Sequence, residues 1–463
     1  MHLPWTLSLL VAARLALGNQ GSLNRDETFS QGEVLVRDVC IIGGGSAGTY
    51  AAIRLQQSNK SVIVVEKSDH LGGHTETFTD PTTGKAVDYG VQSFEETTIS
   101  TAYFQHLGIG WEGGSPATRQ KIDLDAGKLV GEPTESHPNA TATRDYVDLL
   151  RNNYPYLDTG FSLPNPVPED LVIPFQDFIQ RHNLSSAVDS IAAFNIDMGD
   201  WLAFPAIYSM KYAGEAAMQR SLVHIKGKNN SALYGAAQKR LGGDTLLSTQ
   251  VVQVSRDRES TQLVVDTPSG RQQIRAKKLI MTIPPLVNDL QQFMDLHPQE
   301  LDLFRQFEHG YLYTGLVRVD GFPSDITRYM NWGTAAGGRL KLPALYVVSQ
   351  TVVPGMMVVH FGSDVPLRDE EVQEQVVEQL LRFRQAGVYI SQPEIVIMKS
   401  HAPYELRVSP PAILDGFYNN LNSLQGYQGT FWTGAAFETH DSQQIWKFTE
   451  QLIQDQVMKS LEE

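Results

Sequence analysis

The chain has 463 residues, 41% hydrophobic and 19% charged, which is the balance of a globular protein and excludes a fibrous or disordered one. That length exceeds one small core and implies two or three domains, or one large enzyme with insertions. With 37 Lys and Arg against 52 Asp and Glu, the net charge of -15 disfavours nucleic-acid binding, which depends on basic patches.

The amino terminus opens with a short apolar run over 5–13, followed by Ala16-Leu17-Gly18, a small-residue pattern suited to a signal peptidase. Residues 1–18 are therefore expected to be a cleaved secretory signal, although no Lys or Arg precedes the run and Arg14 interrupts it. The run falls short of the roughly 18 apolar residues a membrane span requires. Four sequons, at Asn59, Asn139, Asn183 and Asn229, agree with a secreted or lumenal location. Cys40 is the only cysteine, so no internal disulfide can form. Its apolar surroundings imply a buried, inert thiol.

Val34–Ile42 has the near-continuous β-branched and aliphatic character of a buried parallel strand. A helix is expected over 46–57 and a second buried strand over 61–66, which makes a βαβ opening. Residues 123–139 are rich in turn formers, and five prolines between 154 and 174 mark a connector. A helix follows over 175–194. Strands are expected at 251–254, 262–265, 271–274 and 278–283, then at 311–319, 344–352 and 356–361. A helix over 369–385, a short strand over 429–434 and a last helix over 442–460 complete the pattern. No internal repeat or coiled coil is present.

Chemistry concentrates where the first strand meets the first helix. Gly43-Gly44-Gly45-Ser46-Ala47-Gly48 is a G-x-G-x-x-G in its required context. Gly43 serves the tight turn, Gly45 admits a pyrophosphate to the backbone, and Gly48 lets the helix pack closely on the strand. The helix start then offers N–H groups, those of Ser46 and Ala47 among them, to phosphate oxygens. Glu66, 18 residues beyond Gly48, suits the ribose hydroxyls and repels a 2′-phosphate. A second glycine pair, Gly72-Gly73 before His74, supplies another close backbone approach, a feature more typical of proteins that bind the extended FAD than of NAD proteins.

With Asp38–Gly48, Val62–Thr75 together with Asp88-Tyr89-Gly90, Val251–Pro285 and the terminal Gly429–Phe437, the chain resembles the FAD-dependent amine-oxidase and protoporphyrinogen-oxidase superfamily. Within it, the likeness is greatest to the secreted fungal beta-cyclopiazonate dehydrogenase family. The resemblance implies an α/β (α+β) fold in which a Rossmann-like FAD-binding domain, over 33–105, 215–285 and 401–463, is interleaved with a substrate-binding domain over 106–214 and 286–400. It implies a backbone contact to adenine from Val251 and a cofactor contact, at the pyrophosphate, from Gly434 and Ala435. Ala435 stands where the superfamily usually has an acid, and His74 where it usually has Arg. The lysine that many amine oxidases hold near the flavin has no counterpart in 311–319, whose only basic residue is Arg318.

The expected function is FAD-dependent oxidation of a small nitrogen-containing or aromatic metabolite. Oxidative cyclisation in secondary metabolism is one form of it, with oxygen or another electron acceptor reoxidising the flavin. A secreted polyamine or amino-acid oxidase and a non-catalytic flavin-binding protein are the alternatives. His74 is the candidate for a covalent flavin tether, against a reading as a plain hydrogen-bonding His. Gln92, in the stretch after the second glycine loop, and His401, Tyr404 and Tyr418, in the segment leading back to the last flavin motif, are candidates to line the substrate face.

Overall fold

The computed structural model describes residue 29 and residues 33–114, 117–135, 140–219, 221–333 and 339–462. The expected signal at 1–18 and the sequon at Asn139 lie outside the described residues.

The fold is organised around strand β1 (Val34–Ile42), whose last four residues are buried. β1 runs parallel to β2 (Val62–Val65) on one side and to the strand Gly270–Met281 on the other. Apolar character on both strand faces is what such a central position demands. Helix α1 (Ser46–Gln57) connects β1 to β2 and packs on the sheet through small residues, Ala47, Gly48, Ala51 and Ala52. The short strand Thr245–Leu246 extends the sheet beyond β2. Gly270–Met281 serves two neighbours along its length: its first half pairs antiparallel with Thr261–Thr267, and its last residues pair parallel with Thr430–Trp432. This sheet draws strands from three distant stretches of the chain.

A second, eight-stranded sheet is built from Glu308–Arg318, Met356–Ser363, Ala344–Gln350, Arg328–Asn331, Thr118–Asp123 and Lys128–Glu135 in that spatial order, with Glu394–Ser400 and Tyr404–Arg407 also pairing with Glu308–Arg318. One face is sealed by helix Asp369–Leu381, through Val372, Val376 and Leu380. The opposite face meets a layer of short helices drawn from 140–219 and the carboxyl ends of the first sheet's strands.

Three expectations for local structure differ from the observation, and a fourth element holds its expected bounds with an irregular turn inside it. Residues Lys128–Glu135, expected as turns, form a mostly exposed edge strand paired on one side only, so they need no apolar alternation. The expected helix over 175–194 divides into Phe175–Arg181 and Val188–Asn195, broken at Asn183, which has φ 55°. The two strands expected over 271–283 are one continuous strand. The last helix, Ser442–Leu452, continues through a π turn at Ile453–Val457. Among the described residues, no helix is long and apolar enough to cross a membrane.

Candidate active site

At the carboxyl end of β1 the backbone reverses at Gly43, with φ 103°. Its N–H donates to Val65 O at 2.9 Å, which ties the turn to the end of β2. Helix α1 starts after Gly45 with no side-chain cap, so its first N–H groups face outward without a protein acceptor from that position. A Cβ on Gly48 would lie 1.9 Å from Gly43 O, so only glycine lets the helix sit this close to the turn. The second loop closes over the first. Gly72 N–H donates to Gly44 O at 2.9 Å, and a Cβ on Gly73 would approach Gly45 Cα to 3.0 Å.

Glu66 lies at the rim of this cradle. Its carboxylate accepts the Gly44 N–H at 2.6 Å and the Ser68 N–H at 2.8 Å. Each oxygen keeps a further lone pair for a ribose hydroxyl. Val251 is held beside it, because Thr249 N–H donates to Glu66 O at 2.9 Å and Ser248 N–H to Ser68 O at 2.7 Å. Gly434, with φ 111°, follows strand Thr430–Trp432 and packs against Thr282 O, 3.1 Å from where its Cβ would be. Thr282 in turn donates through Oγ1 to Ile42 O and Gly43 O, at 3.0 and 3.1 Å. Three separate chain segments thus meet at one glycine-lined groove. Gln443, at the start of the last helix, is buried with neither amide atom hydrogen-bonded among the described residues, a polar group that a bound cofactor would satisfy. The uncapped helix start, the paired glycines and the carboxylate at the rim fit a dinucleotide with its pyrophosphate on the glycines and its ribose at Glu66.

Beyond Gly73 the groove ends in a cluster of histidines. The rings of His74 and His401 stack at 4.4 Å and 3°. His440 lies parallel to His74 at 5.9 Å, and Tyr404 packs on His440 at 4.1 Å. His74 and His440 are half-buried, and His401 is buried. Desolvation, reinforced by the Lys67 charge, lowers His74 to about 4. Desolvation and the neighbouring histidines hold His401 well below the usual imidazole range, and desolvation followed by His74 does the same for His440. The cluster is therefore a set of neutral imidazoles at neutral pH. Among the described residues no group of His, Cys, Asp or Glu is arranged to hold a metal ion.

Of the residues named from sequence, His74, His401 and Tyr404 come together here. Gln92 joins them from the chain beside the second loop, where Val91 N–H donates to His74 O at 3.1 Å. Its amide bridges His360, at 3.2 Å, and Arg328, at 3.1 Å. Tyr418 is placed elsewhere. It is buried against Phe161, with the rings 4.0 Å apart, and donates to Tyr208 Oη at 2.9 Å, so its hydroxyl is spent in the helical layer. The short helix Phe417–Asn422 buries Phe417, Tyr418 and Leu421 on one side, which turns that ring into the core. Arg318 sits at the far end of its strand, half exposed and near Asp80 at 3.6 Å.

Several residues of the site escaped sequence reasoning. His440 lies only six positions beyond Gly434, and its Nε2 accepts the Glu405 N–H at 2.8 Å. His360 interrupts an otherwise apolar strand, Met356–Ser363, a signal that was available, and pairs with Asp197 at 2.8 Å. Glu405 is buried with a left-handed backbone, φ 59°, and desolvation raises its carboxyl to about 8. Glu438 is a buried acid three residues after Ala435. It pairs with Lys211 and accepts the Gly160 N–H, joining the last flavin motif to the helical layer.

This architecture is that of a two-domain FAD-binding oxidoreductase. Residues 41–107 match the model of an NAD(P)-binding Rossmann-like domain. Among solved structures, a fatty acid isomerase from P. acnes is similar with a TM-score of 0.74 and 18% identity, covering 91% of this chain and 98% of its own. A putrescine oxidase variant is similar with a TM-score of 0.65 and 17% identity, covering 92% of this chain and 100% of its own. Both likenesses concern the fold. The sequence comparison is more specific. An FAD-dependent oxidoreductase of Cochliobolus heterostrophus, oblC, is 35% identical over 98% of this chain and 97% of its own length. Beta-cyclopiazonate dehydrogenase of Aspergillus flavus is 33% identical over 98% of each chain. The protein belongs to this family of fungal FAD-dependent oxidoreductases.

Proposed function

We propose that the protein oxidises a small nitrogen-containing or aromatic metabolite by removing hydride from a carbon centre, with oxidative cyclisation as the outcome where the substrate carries an internal nucleophile. The observation that carries this reading is the convergence of neutral imidazoles from both sides of the groove. His74 comes from the second glycine loop, His440 from the last motif and His401 from the second sheet. Bound FAD supplies a two-electron acceptor, reoxidised by oxygen or another acceptor. Loss of hydride leaves a cationic substrate that must also shed a proton, and an unprotonated imidazole at the cavity wall can take it. The stacked rings and Tyr404 offer flat surfaces against which an aromatic substrate can be held. The half-exposed Arg318 does not supply the missing lysine of the simple amine oxidases, which supports a substrate other than a simple polyamine.

The test is anaerobic mixing of candidate metabolites with the purified holoprotein, read as loss of flavin absorbance. His401→Ala should slow bleaching by roughly 10²- to 10⁴-fold if His401 moves the proton. Equal rates in both proteins would remove it from the chemistry. The same samples, denatured in acid, report on a covalent tether through His74, which we propose because its neutral ring keeps a free lone pair. Colour that leaves with the supernatant disproves it. We also propose that the protein enters the secretory pathway, supported by the terminal apolar run and by exposed sequon asparagines at Asn59 and Asn183. Protein made in its own secretory route should shift in mobility on glycosidase treatment, and an unchanged band counts against this.

A further inference from the structure

The second sheet carries an arrangement that the histidine chemistry does not use. Arg328 and Arg119 are Cα partners on adjacent parallel strands, so both side chains leave the same face of the sheet. The same row continues through Ser349, Val358 and Leu316, and the neighbouring row holds His360 and Thr314. Thr314 Oγ1 lies 3.4 Å from His401 Nε2. From Thr314 to Arg328 the sheet advances three strand spacings, ~14 Å. Gln92 and His360 cross that interval.

Among the described residues, the charges on this face do not balance. Arg328 is fixed by Nε to Ser349 Oγ at 3.0 Å and by Nη2 to Gln92 Oε1 at 3.1 Å, both neutral acceptors. Arg119 is half-buried, and its buried Nε has no hydrogen-bond partner among the described residues. Desolvation, then the Arg328 charge, pulls the Arg119 guanidinium down to about 10. The nearby carboxylate, Asp197, is engaged by His360 Nδ1 at 2.8 Å. Two guanidiniums facing one committed carboxylate are costly to retain in a folded protein unless a further anion joins them.

We propose that Arg119 and Arg328 form a recognition site for a carboxylate on the molecule whose other end lies at the histidine cluster. The site rests on the functional reading above and deepens it: the substrate is elongated and acidic, anchored at the arginines and oxidised some distance away. Paired guanidiniums match a carboxylate geometrically as lysines would not. Asp197 shares the face, which favours a single anionic group over a more highly charged one.

The experiment titrates the FAD-loaded protein with two matched probes, indoleacetate and its neutral analogue indoleacetamide, following perturbation of the flavin spectrum and competition with each other. The acid should bind more tightly than the amide. Arg119→Met should remove that preference, weakening the acid by roughly 10- to 100-fold while leaving the amide unchanged. Without ligand, Arg119→Met should be at least as heat-stable as the parent, because it removes a partly buried unpaired charge. Equal affinity for acid and amide, binding of neither, or an acid preference that survives in Arg119→Met would overturn the site. So would a marked loss of stability in Arg119→Met, which would make the arginine structural. Failure of the functional reading looks different: the protein would not hold FAD, and no flavin signal would exist to perturb.

Discussion

At the scale of single residues, the protein places titratable groups where water is scarce and uses the resulting shifts. Asp88 is the case with a consequence for stability. It accepts hydrogen bonds from Thr77 Oγ1 and from Asn230 N–H at 2.9 Å, yet desolvation outweighs both and raises its carboxyl to about 7. The unfolded chain ionises this group near 3.8, so between about 4 and 7 the native state binds the extra proton. Stability therefore falls as pH rises through that window, by roughly 1.4 kcal/mol for each unit of raised pKa. Asp88→Asn, which keeps an acceptor for Asn230, should flatten the dependence of Tm on pH from 4 to 7 and stabilise the protein at pH 8. A slope that persists in this variant places the titration elsewhere. Cys40, by contrast, has no such role, since burial in the central strand pushes its thiol far up and leaves it inert.

At the scale of elements, the last helix holds the cofactor groove in shape. Trp446 is fully buried on Ser442–Leu452 and packs against Tyr50, Tyr103 and Phe94, with ring separations of 5.8, 5.0 and 5.7 Å. Its indole donates to Ser46 O at 3.3 Å, and Glu450 on the same helix accepts Arg54 Nε of α1 at 2.7 Å. Trp446→Ala should cost about 3–5 kcal/mol of stability, seen as a lower unfolding midpoint in urea. It should also weaken FAD binding, because the start of α1 loses its support. An unfolding midpoint near that of the parent would mean that this packing does not hold the helix.

Elements like these differ in how plainly they are written in the chain. β1 and α1 are legible to the residue, because a doubly buried strand and a glycine turn leave little freedom in composition. The edge strand Lys128–Glu135 is illegible, since its pattern answers to solvent on nearly every side. The cofactor groove was readable as a local motif. The histidine cluster was readable only in part: Gln92, His74, His401 and Tyr404 could be named, whereas His360, Arg328, Asp197 and His440 are brought to it only by sheet register and by the return of the chain from distant stretches.

At the scale of the whole molecule, two sheets and a helical layer meet so that His74, from a glycine loop of the first sheet, stacks on His401 beside the second. A ligand that bridges them should stabilise the fold by RT ln(1 + L/Kd), where L is the free ligand concentration, about 2.7 kcal/mol at a hundredfold excess over Kd. The cofactor cradle depends on Gly73, whose backbone has φ 57° and where an added Cβ would come within 3.0 Å of Gly45 Cα. Gly73 is exposed, so Gly73→Val spares the core while filling the space between the loops. Flavin stoichiometry after purification and reconstitution measures this directly. The parent should carry one FAD per chain and Gly73→Val should lose most of it, whereas a colourless parent, or a variant that retains its full flavin, would contradict the account.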